Sequence, residues 1–117
     1  MWVFTKDGFF TAVFKECQAD EIMIRAKSRA DLKSLLKKIS DDGPIRETAE
    51  SPYRFFVVLK KSAWIQYLSD YVEHLDYATV RDNIVSSSDT ARQKAYQTVW
   101  TTMHNWMGRA ALGQDDL

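Results

Sequence analysis

The chain is poor in the residues that announce chemistry. Its 117 residues include one cysteine, Cys17, so no internal disulfide can form and a reducing cytoplasm is the expected setting. The four glycines stand apart at 8, 43, 108 and 113, which excludes a glycine-rich phosphate loop. There is no G-x-S-x-G and no H-E-x-x-H. Net charge is also lacking: 16 Lys and Arg cancel 16 Asp and Glu, so the broad field behind non-specific nucleic-acid binding is missing. The longest apolar runs, such as Phe55-Phe-Val-Val-Leu59, are far too short to span a bilayer. Met1-Trp-Val-Phe-Thr-Lys-Asp-Gly8 has neither a basic n-region nor a cleavage site, so no signal peptide is expected.

What remains is the composition of a folded domain. Hydrophobic residues make up 45% of the chain and charged residues 27%, as in ordinary globular proteins. Four tryptophans and 13% aromatic residues favour a well-filled core. This length predicts a single domain over residues 1–112 with a frayed tail at 113–117. The zero net charge hides an asymmetry. Residues 1–61 hold 12 basic against 9 acidic side chains, and residues 62–117 hold 4 against 7. The basic excess concentrates in Arg25, Lys27, Arg29, Lys33, Lys37 and Lys38, broken only by Asp31.

Pattern then locates the elements. Trp2–Thr5 and Phe9–Phe14 flank Lys6-Asp7-Gly8, a strong hairpin signal. In Glu21–Lys27 alternation puts Ile22, Ile24 and Ala26 on one face and Met23, Arg25 and Lys27 on the other. Ser28-Arg-Ala-Asp31 reads as a capping box. Leu32, Leu35, Leu36 and Ile39 follow at helical spacing, and Asp41-Asp-Gly-Pro44 is expected to end that helix.

A short strand is expected near Ile45–Thr48 and a central one at Tyr53–Lys60. In the latter Tyr53, Phe55, Val57 and Leu59 share a face, opposite Phe56 and Val58. Ser62 is expected to cap a helix with the stripe Trp64, Tyr67, Leu68, Tyr71, Val72 and Leu75. A short helix at Tyr77–Ile84, a Ser86-Ser-Ser-Asp89 break and a last helix to about Met107 complete the chain. The predicted class is α+β: an antiparallel sheet of four to five strands with two or three helices mainly covering one face, and an all-helical C-terminal part.

The chain resembles a family of small bacterial proteins with no assigned function. The matching pieces are Met1-Trp-Val-Phe-Thr5 with Gly8-Phe-Phe10, Ile24-Arg-Ala-Lys27 with Asp31-Leu32, Tyr53-Arg-Phe55, Leu75-Asp-Tyr77 with Arg81, and Arg92, Tyr96 and Val99-Trp100. The family more often has an aromatic residue where Val80 stands and lysine where Arg81 stands. The resemblance implies one small cytoplasmic α+β domain and brings no reaction, cofactor or catalytic residue.

Each chemical candidate has a plainer reading. Glu73 and His74 are helix neighbours about 100° apart, which do not converge on one ligand. Asp76 stands where an N-cap belongs. His74 and His104 are the only histidines and have no cysteine near them, so neither a metal nor a cofactor is expected. Arg92 falls on the apolar stripe of the last helix, where a charge needs a partner or a route to water. A structural ion pair with Asp76 or Asp82 is expected there.

The remaining candidate is a surface. Met23, Arg25 and Lys27 fall with Arg54, Phe56 and Lys60 on the sheet face away from the helices. Arginine, methionine and aromatics are enriched at protein interfaces, while basic residues among aromatics also suit single-stranded nucleic acid. The expectation is a non-enzymatic domain that binds a protein or a second copy of itself. An RNA or DNA accessory role ranks next, and an enzyme centred on Glu73, His74 and Asp76 last. A mobile-element inhibitor of a host complex is a special case of the first reading. No membrane partner is expected.

Overall fold

Residues 1–75 and 89–111 are described in a computed structural model of the chain, with side chains up to Arg109. The chain forms two compact units, Met1–Asp76 and Tyr77–Leu117.

The first unit holds a five-stranded antiparallel sheet. Its strands are β1 (Trp2–Thr5), β2 (Gly8–Val13), β3 (Glu21–Ala26), β4 (Arg46–Glu47) and β5 (Phe55–Lys60), in the order β1-β2-β3-β5-β4. The expected hairpin forms, with Thr5 opposite Gly8 and Phe4 opposite Phe9. Lys6 and Asp7 make the turn, so Gly8 already belongs to the strand. Two strand-to-helix passages follow the same plan. Strand β3 leads into α1 (Arg29–Lys38), and β5 leads into α2 (Lys61–Glu73).

Alternation decides which side of the sheet is dry. Phe10, Ala12, Ile24, Ala26, Val57 and Leu59 face the helices and meet Leu32, Leu35 and Leu36 of α1 and Trp64 and Tyr67 of α2. Phe10, Ile24, Leu32 and Leu35 are completely buried, each contributing about 1.5–3 kcal/mol over an exposed position. Trp64 and Tyr67 stack at 5.6 Å, and Phe10 meets both edge-on.

Helix ends depart from the expectations. Ser28 is the N-cap of α1 by backbone geometry but makes no side-chain capping bond. The Asp31 carboxylate is drawn to the hairpin instead, where it accepts the Phe9 N–H at 3.1 Å. Ser62 does not cap α2 either. The helix begins at Lys61, with Lys60 as N-cap, because the Lys61 N–H donates to the Asp20 carbonyl at 2.8 Å and ends the strand there. Helix α1 stops before Gly43, at Ser40, which adopts φ 53°. Ser40 and Asp41 return N–H bonds to Lys37 and Leu36, a Schellman closure with serine where glycine is usual. The left-handed backbone costs a non-glycine residue roughly 1–2 kcal/mol.

In the second unit, helix α3 spans Thr90–Ala111. The short helix expected at Tyr77–Ile84 and the tail at 113–117 lie outside the described residues.

Candidate interaction face and anchoring cluster

Helices α1 and α2 both pack on one side of the sheet. The other side carries the alternate residues of every long strand. Its edge is aromatic. Phe4 and Phe9, cross-strand partners in the hairpin, stack at 4.5 Å and 7°. Trp2 meets Phe9 edge-on at 6.0 Å and is 69% exposed. Phe9 in turn meets Tyr53 at 6.1 Å. Tyr53 therefore does not share the buried face of Phe55 and Val57 as alternation suggested. It precedes β5 in an irregular segment, where the two-residue period does not apply, and it turns to the open side.

Two cations join this strip. The Arg25 guanidinium lies 4.7 Å from the Tyr53 ring centre and the Lys27 ammonium 5.7 Å, within cation–π range. Arg25 also donates through Nε to Thr11 Oγ1 at 3.1 Å, which fixes it along the sheet. The other residues expected on this surface behave differently. Met23 is buried at 5% exposure, between its cross-strand neighbours Val13 and Val58. Phe56 is half-buried. Arg54 turns to Glu47, with Nε 2.6 Å from the carboxylate, and Arg29 approaches the same carboxylate at 3.6 Å. Lys60 pairs with Asp20 at 2.8 Å. The hydrogen bond from Lys60 is the main cause holding the Asp20 carboxyl below its usual range, and the same bond raises Lys60. Both side chains are exposed, so the pair adds little to stability.

Sequence reading missed Trp2, Phe9 and Tyr53. The signal was present for the first two. A two-residue turn opposes Phe4 to Phe9 and so puts Trp2, Phe4 and Phe9 on the side opposite Val3 and Phe10.

A second cluster of polar groups lies at the hairpin tip. The Tyr67 hydroxyl donates to Asp7 Oδ2 at 2.7 Å and shares a bond with Thr5 Oγ1 at 2.9 Å. The Asp7 N–H donates to the same Thr5 oxygen at 3.1 Å, and the Lys6 N–H to the Tyr71 hydroxyl at 3.1 Å. Burial is the chief cause raising both tyrosine hydroxyls above their ordinary pKa. The hairpin is tied to α2 by Tyr67 as a donor to Asp7 and by Tyr71 as an acceptor from Lys6. Asp31 ties the same hairpin to α1. The Trp64 Nε1 beside Tyr67 is buried with no hydrogen-bond partner among the described residues.

At the end of α2, Glu73 and His74 are exposed, and His74 Nδ1 lies 2.8 Å from the Asp70 carbonyl, as a helix C-cap. Among the described residues no three His, Cys, Asp or Glu side chains stand close enough to hold a metal ion, and no helix is long and apolar enough to cross a membrane.

Arg92 is engaged at the start of α3. Asp89 accepts the Arg92 N–H at 2.9 Å and its Nε at 3.2 Å, while Nη1 donates to the Tyr96 hydroxyl at 3.0 Å. The backbone N–H of Arg92 is the first cause keeping the Asp89 carboxyl low. Asp89 thus supplies a side-chain cap that the sequence suggested at Ser28 and Ser62. Asp76 and Asp82, the partners expected for Arg92, lie outside the described residues.

No protein-family model, curated protein or solved structure matches the chain.

Proposed function

We propose that the protein is a non-catalytic binding domain that takes a protein partner at the aromatic edge of the sheet face opposite α1 and α2. One observation carries this reading. Trp2, Phe9 and Tyr53 form a continuous aromatic strip bordered by Arg25 and Lys27, on the side that neither α1 nor α2 covers. Trp2 is exposed and Phe9, Tyr53 and Arg25 are half-buried, and aromatic and arginine side chains gathered in one patch have the make-up of an interface. The charges favour protein over nucleic acid. Arg54 and Lys60 are committed to Glu47 and Asp20, and Arg25 to Thr11 and Tyr53. Few cations are then left to neutralise phosphates.

The test is a photo-crosslinking amino acid at Trp2, compared with one at Lys33, an exposed position on α1. In cells that make the protein, the Trp2 probe yields a discrete protein adduct and the Lys33 probe does not. Equal labelling from both positions, or none from Trp2, sinks the reading. Single-stranded oligonucleotide binding that survives moderate salt and falls with Arg25→Ala and Lys27→Ala replaces it with the nucleic-acid alternative.

A further inference from the structure

Helix α3 carries a second apolar surface. Val99, Trp100, Met103, Trp106 and Met107 are between 39% and 58% exposed, whereas Tyr96, one turn earlier, is buried at 9%. The exposed stripe is therefore confined to the C-terminal half of the helix. We propose that this half pairs with the same segment of a second copy of the chain, the two helices crossing at Met103.

Three features select a second copy. The first is shape. Val99, Met103 and Met107 recur every four residues and form a straight ridge, the kind that interdigitates with its own copy when helices cross near −50°. A two-fold axis passing beside Met103 lays each ridge in the other's groove with the two Met103 side chains adjacent, as an isologous contact requires.

The second feature is charge. From Thr98 to Gly108 there is no Asp, Glu, Lys or Arg. Self-pairing therefore opposes no like charges, and nothing in the patch selects a partner of either sign. The nearest cations, Lys94 and Arg109, lie roughly 13 Å and 9 Å along the axis from Met103, where crossed helices have diverged. A lipid surface fits less well, because an interfacial helix needs a basic border beside its apolar stripe.

The third feature is area. The five side chains expose on the order of 500 Å² per copy, a patch of interaction-site size. The pair would bury roughly 1,000 Å², the low end for specific association. The dimer is accordingly weak.

Sedimentation of the full chain across a wide series of concentrations tests the proposal. Wild type shows a reversible monomer–dimer equilibrium, and Met103→Glu weakens it at least tenfold with unchanged helical circular dichroism. Mixing Met103→Glu with Met103→Lys restores the dimer, because the axis places the two side chains beside each other. In a Cys17→Ser background, Met103→Cys keeps the apolar surface and yields a disulfide-linked dimer under mild oxidation. A chain that stays monomeric at all concentrations and does not cross-link at position 103 overturns the proposal. So does a dimer indifferent to Met103→Glu, which would use another surface. A monomeric Met103→Glu protein with a sharply lowered melting temperature also overturns it, by showing that the chain covers the stripe itself. The sheet-face reading rests on other residues, and its crosslink at Trp2 succeeds or fails independently.

Discussion

Helices α1 and α3 carry the same kind of apolar stripe and meet different fates. In α1, Leu32 and Leu35 are completely buried and Leu36 is 7% exposed. In α3, Met103, Trp106 and Met107 are 47%, 49% and 58% exposed. Helix α2 stands between them: Trp64 and Tyr67 are buried, while Val72 at its far end is 65% exposed. Periodicity thus says which side chains share a face. Whether that face is covered depends on what the chain places opposite it, and for α1 the cover is the inner side of β2, β3 and β5.

The contrast is broken most directly by truncating one side chain in each helix. Leu35→Ala should cost about 2–5 kcal/mol, the transfer loss plus the cavity left in a packed core. Met103→Ala should change monomer stability by no more than about 0.5 kcal/mol, as at an exposed helical site. Urea unfolding of both variants, at concentrations well below any self-association, decides the matter. Similar losses would show that α3 belongs to a core as α1 does.

A second substitution sharpens what holds α1 to the hairpin. A Cβ at Gly8 would lie 2.6–2.7 Å from the Asp31 Cγ, Cβ and Oδ2, closer than unbonded atoms tolerate. Gly8→Ala should therefore cost about 1–3 kcal/mol, the usual penalty of overpacking. The same change in an Asp31→Ala background should cost clearly less, giving a measurable coupling energy between the two sites. Additive losses would mean that crowding by Asp31 is not the reason for glycine.

Legibility follows the same division. The hairpin, the inward alternation of Ile22, Ile24 and Ala26, and the Leu32–Leu36 stripe were all readable, because each depends on neighbours within a few residues. The caps were not. Ser28 and Asp31 have the spacing of a reciprocal box, yet Asp31 is taken by the Phe9 N–H, a group 22 positions away that spacing cannot reveal. Asp89 caps α3 from the end of a polar run that read only as a break. The strand expected over Ile45–Thr48 is Arg46–Glu47 alone. The candidate face was half legible: Arg25, Lys27 and Phe56 follow from alternation, while Tyr53 reaches it through an irregular segment. Arg54 and Lys60 were placed on a basic face, but their pairing with Glu47 and Asp20 depends on contacts between loops and strands.

The smallest effect is expected at the boundary, in α2, where a buried ring still reaches polar partners. Tyr67→Phe keeps the packing on Trp64 and Phe10 but leaves Asp7 and Thr5 without the hydroxyl. The expected loss near neutral pH is about 1 kcal/mol. Its pH dependence identifies the cause. Burial raises the Tyr67 pKa in the folded state, so an unfolded phenol releases its proton near pH 10 while the folded one keeps it. The unfolded state then binds fewer protons, and stability falls as pH rises above that value. The Tyr67 contribution is fully present below about pH 10 and is lost progressively above it. Tyr67→Phe removes one such titration, while Tyr71 retains its own. The variant should be less stable than wild type at pH 7 and should lose stability less steeply in alkali, so that the two unfolding curves converge. Curves that stay parallel to pH 11 would mean that the Tyr67 hydroxyl is as well solvated folded as unfolded, and that the hairpin is held to α2 by ring packing alone.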